Sequence, residues 1–313
     1  MQLLDESLVG EHEIDSLGHL NVRFYMVRVE RANAVLMSSF GITPELLQVE
    51  GLVLNRIDTY CRYYREQFVG AALTVHGGPI EVHEDRIRLF FDVRNAVKGE
   101  IAAAYIIEMQ LQEISDRTPR AFTEQMRRRG EAAAVTLPAH GAPRSVPLAP
   151  PRIDLTLAQL EARVGAQRGS FWGGSLERVV QPEECDAHGF LQPGSDLFFG
   201  ARSRIPRPEG QKLGPAPLLT DEGHRFNFAL AETRVTLLGT ARSNDVLRIV
   251  GGDIALHEKT RHSRRWIFNL RNQQLIGVDD TVGIALDLDI RKAIPIPTAI
   301  REKLAKRLLA ELA

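Results

Sequence analysis

The sequence predicts an α+β chain made of two copies of one domain, each a helix followed by an antiparallel β-sheet. Three observations carry this reading. The 313 residues exceed one average domain and suit two. Short blocks of sequence recur in the same order in the two halves. Each half also opens with helical spacing and continues in β-rich runs separated by glycine turns, without the strand–helix alternation of a parallel sheet.

The repeat begins with Glu13-Ile14-Asp15-Ser16-Leu17-Gly18-His19-Leu20-Asn21 and its counterpart Glu184-Cys185-Asp186-Ala187-His188-Gly189-Phe190-Leu191-Gln192, 171 residues later. A second block, Gly-Gly-x-Ile-x-x-His-Glu, occupies 77–84 and again 251–258, an offset of 174. A third sets Phe91–Asn95 against Phe268–Asn272, an offset of 177. Offsets that grow in small steps describe a duplicated domain with short loop insertions.

In the first copy a helix is expected over 21–40. Val22, Tyr25, Val29, Ala32, Leu36 and Phe40 form one apolar face, and Arg23, Arg28, Glu30 and Arg31 cover the other. Gly41 and Pro44 end it. Strands follow at 53–64, 71–82, 86–95 and 101–113, with turns at Gly77-Gly78 and Lys98-Gly99. The second copy starts its helix near Pro193, with Leu197, Phe198, Phe199 and Ala201 as its apolar part. Its strands are read at 230–238, 245–256, 264–271 and 281–289. The domains are therefore 1–118 and 171–292, joined by a proline- and alanine-rich linker at 119–170 of poor packing potential, with a terminal helix in 293–313.

Composition narrows the function. Thirty-nine basic against forty acidic residues leave a net charge of −1, which argues against a nucleic-acid binder dependent on counterion release. Two cysteines, Cys61 and Cys185, are too few for a disulfide framework or a cysteine-rich zinc site, and point to a reducing cytoplasm. No leader is visible at the start, and no apolar run approaches the roughly 18 residues of a membrane span.

The Asp-x-x-Gly-His-x-Asn stretch opening a helix before an antiparallel sheet resembles the hotdog-fold thioesterases, in particular the 4-hydroxybenzoyl-CoA thioesterase-like and acyl-CoA thioesterase branch. Asp15, Gly18, His19 and Asn21 carry the resemblance; Glu13 stands where that family has another acidic residue and Val22 where it has a second Asn. It implies two hotdog domains in one chain, each an antiparallel sheet wrapped around its central helix, and a tandem pair doing what a homodimer does elsewhere. It also implies an acyl-CoA or acyl-carrier-protein substrate, no cofactor beyond the coenzyme A of the substrate, no metal, and a possible homo-oligomer. The second copy departs from the pattern, with Phe190 for His19 and Gln192 for Asn21, but keeps Asp186 and Gly189.

Thioester cleavage needs a group to attack or activate water and donors for the oxyanion. Asp15, and Asp186 in the second copy, are candidates for general base or nucleophile. The amides around Gly18 and His19, at a helix N-terminus, are candidates for the oxyanion. His19 orients substrate or carboxylate, and Asn21 bonds the carbonyl or caps the helix. Glu66 is a second candidate acid. His83-Glu84 and His257-Glu258 read as structural strand ends, and Cys185 as an inert thiol. Arg127-Arg128-Arg129 and the group Lys259, Arg261, His262, Arg264 and Arg265 are candidates for coenzyme A phosphates. Two other readings remain: a dehydratase or hydratase acting on acyl thioesters, and a non-catalytic acyl-CoA-binding module.

Overall fold

The computed structural model describes residues 1–15, 17–165, 173–192 and 218–313. They divide into two compact units, Met1–Leu148 and Ala149–Ala313.

The first unit contains β1 (Gln2–Leu8), α1 (Val22–Ser39), α2 (Pro44–Val49), β2 (Leu52–Tyr63), β3 (Ala72–Val82), β4 (Arg86–Asn95), β5 (Ile101–Glu113) and α3 (Glu124–Ala132). Its antiparallel strands lie in the order β1-β3-β4-β5-β2. The four strands expected from sequence agree to within one residue at each end. Strand β1 was not expected, because Asp5, Glu6 and Ser7 run together between its leucines and only Leu4 is buried. Helix α1 is capped by Asn21, whose side chain accepts from the Arg23 amide, and stops at Gly41, whose φ of +86° few other residues adopt. It packs against β1, β3 and β4 through Tyr25, Met26, Val29, Ala32, Leu36 and Met37. The sheet face beneath it carries the cross-strand row Phe91, Tyr105 and Cys61, all fully buried.

The expectation for Arg28 is corrected. Rather than covering the exposed side, it is 2% exposed and makes a bidentate pair with Glu13, at 2.7 and 2.9 Å. Its remaining donors reach Ser7 Oγ and the carbonyls of Leu8 and Phe24. A helical arginine therefore staples the loop before the helix to β1.

The second unit contains α4 (Leu157–Val164), β6 (Gly173–Val179), β7 (Leu218–Leu219), β8 (Arg225–Leu237), β9 (Val246–Leu256), β10 (Thr260–Asn269), β11 (Gln274–Asp287), β12 (Lys292–Ala293) and α5 (Thr298–Ala305). Strand order is β6-β9-β10-β11-β8, the same circuit as in the first unit. Strands β9 and β10 lie 174 residues after β3 and β4 at both ends. The third sequence block is thereby corrected. Asn95 pairs in register with Leu73 and Asn269 with Leu247, so Phe91–Asn95 matches Arg265–Asn269, not Phe268–Asn272. Strands β8, β10 and β11 begin earlier than expected, at Arg225, Thr260 and Gln274, because polar residues break up the apolar runs of their early parts. The helix expected from Pro193 lies outside the described residues.

The stretch 119–170 is not the unpacked linker expected. Its first part belongs to the first unit, where Phe122 and Val146 are buried, the Val135 amide donates to Pro79 O, and His140 reaches Asp92. From Ala149 on, Leu155, Leu160 and Val164 join a core with Val250, Ile254, Trp266, Phe268, Val278, Leu309 and Leu312. The Trp266 indole donates to Arg152 O at 3.0 Å. Prolines space these anchors without preventing their burial. The terminal helix is shorter than expected, ending at Ala305 before a single 3-10 turn, Ala310–Leu312.

Candidate active site

The loop ahead of α1 is built from the backbone outward. A 3-10 turn, Glu11–Glu13, is closed by the Gly10 amide donating to Glu13 Oε2 at 2.9 Å. The Asp15 amide donates to His19 O at 2.9 Å, and the Gly18 amide to Asp15 O at 3.0 Å. Gly18 holds φ at +80°, which a side chain would strain. The Asn21 amide returns to Glu13 O at 2.9 Å. Glu13 is thus the anchor of the loop. Burial alone would push its pKa up, but the Arg28 guanidinium and the Gly10 amide hold it below the usual carboxylate range.

Three titratable side chains meet above this loop. His19 Nε2 lies 3.5 Å from Glu66 Oε1, and Nδ1 lies 4.0 Å from Asp15 Oδ2. Nδ1 also sits 3.2 Å from Leu20 O. Side-chain exposure is 12% for His19, 20% for Asp15 and 27% for Glu66, so the group is sheltered yet reachable. Asp15 Oδ1 accepts from the Leu17 amide at 2.8 Å, which leaves Oδ2 toward the histidine.

Glu66 is brought in by a short segment that three contacts fix. The Leu20 amide donates to Gln67 O at 2.8 Å, Asn95 Nδ2 to Gln67 Oε1 at 2.8 Å, and Tyr25 Oη to Arg65 O at 3.3 Å. Tyr25 is buried, and burial pushes its phenol well above the ordinary value, so it acts as a neutral donor. Sequence reasoning missed Tyr25, Gln67 and Arg28, because each acts over a long stretch of chain. Arg28 alone left a signal, as a charge set between Val27 and Val29 in an apolar run.

One expectation for the oxyanion donors changes: the Gly18 amide is engaged by Asp15 O. Of its two expected roles, Asn21 takes the helix cap. Among the described residues none accepts from the His19 amide.

The matching loop of the second unit has the same backbone. The Asp186 amide donates to Phe190 O at 2.8 Å, the Gly189 amide to Asp186 O at 3.0 Å, and Gly189 has φ +77°. Its Glu184 is likewise paired, with Arg178. The side chains differ. Asp186 Oδ1 accepts from both the His188 and the Phe190 amides, at 2.8 and 3.1 Å, so the aspartate closes a turn on itself. Phe190 is buried and Thr240 stands where Glu66 does, so no histidine–carboxylate group forms on this loop.

The other candidates lie elsewhere. His83 pairs with Glu81 at 3.4 Å on an exposed hairpin, at the far end of β3, and His257 occupies the matching hairpin of β9 and β10. Cys185 is half-buried, its thiol pushed up by burial and by Asp186 and Glu184, the opposite of an activated nucleophile. Arg129 packs on Gly41 at the C-terminal end of α1, about 27 Å from the site along an 18-residue helix. A shallow depression lined by Glu124, Gln125, Arg128, Arg129 and Ala132 lies there too. In the second basic group Arg261 reaches Asp253, Arg264 and His262 reach Asp280, and Arg265 reaches Asp279. Those charges are spent inside the unit. Among the described residues no cluster of metal-ligating side chains occurs.

Residues 9–130, which span this loop, α1 and the sheet, match the sequence model of the thioesterase-like superfamily. No match is found among curated protein sequences. Among solved structures, the chain is similar to the 12:0-ACP thioesterase of Umbellularia californica, at 11% identity and TM-score 0.63, over 90% of this chain and 93% of that one. It is similar also to an acyl-ACP thioesterase of Bacteroides thetaiotaomicron, at 10% identity and TM-score 0.59, over 89% and 96%. The chain shares the fold of these structures, two hotdog domains in one chain, over nearly its whole length.

Proposed function

We propose that the chain hydrolyses acyl thioesters of coenzyme A or an acyl carrier protein at the Asp15 loop. The single observation that carries this is the meeting of Asp15, His19 and Glu66 in one sheltered group at the start of α1. The match of residues 9–130 to the thioesterase-like superfamily supports an enzyme acting on thioester bonds.

Asp15 is held by the Leu17 amide through one oxygen and presents the other to the substrate. It either attacks the thioester carbon or takes a proton from the attacking water. The His19 amide donates to the developing oxyanion. The His19 ring, between two carboxylates, passes the proton that the leaving thiolate needs, and Glu66 holds the ring in place. Water and these side chains suffice. Asp186, self-bonded in its turn, serves as a loop-closing residue.

The test is thiol release from a panel of acyl-CoAs, with the acid product identified by mass spectrometry. Stoichiometric thiol and free acid support hydrolysis. An enoyl product without free thiol replaces it with dehydration, and tight binding without turnover replaces it with a binding module.

A further inference from the structure

The turn that follows Glu66 occurs in both units with one backbone and two sets of side chains. In the first unit the Ala71 amide donates to Phe68 O at 3.0 Å, with Gly70 at φ +79°. In the second the Asp245 amide donates to Arg242 O at 3.0 Å, with Asn244 at φ +67°. Each turn is tied to the residue after its first strand. The Gly70 amide donates to Val9 O at 2.9 Å and the Asn244 amide to Val180 O at 2.9 Å.

The side chains diverge where the chemistry does. In the second unit Arg242 lies over the Phe190 ring, 3.9 Å from its centroid, and so covers the position that His19 occupies in the first. In the first unit the same turn carries Phe68 and Val69, which are 46% and 53% exposed. Leu8, at the end of the strand bonded to this turn, is 69% exposed. Polar and small residues dominate such turns, as Arg242-Ser243-Asn244 does here. Exposed apolar side chains grouped beside a reactive site mark a contact surface. Phe68 stands two residues after Glu66, on the segment that Leu20 and Asn95 pin to the Asp15 loop.

We propose that Phe68, Val69 and Leu8 form the rim that receives an aliphatic acyl chain, and that this rim sets the chain-length preference of the enzyme. The proposal rests on the hydrolase reading above. The occupant is the acyl group itself, because Phe68 stands two residues after Glu66 on the segment that Gln67 ties to the Asp15 loop, where the thioester would be cleaved.

The experiment grafts the second unit's turn onto the first as the double substitution Phe68→Arg and Val69→Ser, a pair this backbone already accommodates. kcat/KM is measured for acetyl-, butyryl-, octanoyl- and dodecanoyl-CoA, with thermal melts as the folding control and Val49→Ser as a distant exposed apolar control. The ratio of dodecanoyl to acetyl kcat/KM falls about tenfold or more in the graft and stays as in wild type for Val49→Ser. A graft that leaves the ratio unchanged while wild type turns over the series overturns the rim alone. A wild type inactive on the whole series overturns the hydrolase reading and the rim with it.

Discussion

Replacing Arg28 by methionine removes the guanidinium that holds the active loop, and the structure sets the size of the effect. Arg28 supplies two charge-assisted bonds to Glu13 and one each to Ser7, Leu8 and Phe24. Glu13 is only 8% exposed, so the substitution strands a buried carboxylate with the Gly10 amide as its remaining described donor. Breaking a buried pair from one side costs about 3–5 kcal/mol. For a unit of this size that lowers the melting temperature by roughly 10 °C. The pair also fixes a pH dependence. The folded-state pKa of Glu13 lies below its ordinary value of 4.5, so its stabilisation is complete above that value and is lost as pH falls through the folded pKa. Urea unfolding at neutral pH and on the acid side of that value, for wild type, Arg28→Met and Glu13→Gln, measures both effects. Wild type loses stability on acidification, and the two variants start lower and lose less. Variants within about 1 kcal/mol of wild type, or an acid loss equal in all three proteins, refute the anchoring role.

Three further outcomes are expected. Glu66→Gln lowers kcat about tenfold or more and changes KM little in steady-state assays, because it perturbs the His19 ring rather than substrate binding. Gly18→Ala costs about 1–2 kcal/mol in unfolding experiments, since φ of +80° puts a Cβ in the left-handed region, and it lowers kcat by displacing Asp15. Asp92→Ala frees the segment around His140, which the fully buried Asp92 holds at 2.7 Å while Arg94 holds its other oxygen; limited proteolysis cuts the variant within 119–148 faster than wild type.

Local features were legible in the sequence and distant pairings were not. The Asp15 loop and its Asp186 twin have the same turn because Gly18 and Gly189 permit it, and that glycine spacing is visible in one dimension. Helix α1 and strands β2 to β5 follow from apolar patterning. Arg28 was misplaced because a charge on a helix is assigned to water unless its partner is known, and its partner lies fifteen residues back. The register of the third block slipped because Asn95 meets an asparagine in either alignment, Asn272 or Asn269, and only the wrong one also sets Phe91 on Phe268; strand pairing selects between them. The proline-rich stretch was read by composition, whereas Leu160 and Val164 are spaced to bury one helical face and Leu155 joins them from just before the cap. Glu66 was noticed, but its contact with His19 depends on the Gln67 and Tyr25 bonds that bring the segment in.

The most direct measurement compares thiol release by Asp15→Asn and Asp186→Asn on the best acyl-CoA of the panel. The amide removes the reacting carboxylate oxygen in the first case and retains a turn-closing acceptor in the second. Turnover falls by about a hundredfold or more in Asp15→Asn and stays within about twofold of wild type in Asp186→Asn. Equal activity in wild type and Asp15→Asn, or a loss confined to Asp186→Asn, contradicts the assignment of the chemistry to the first loop.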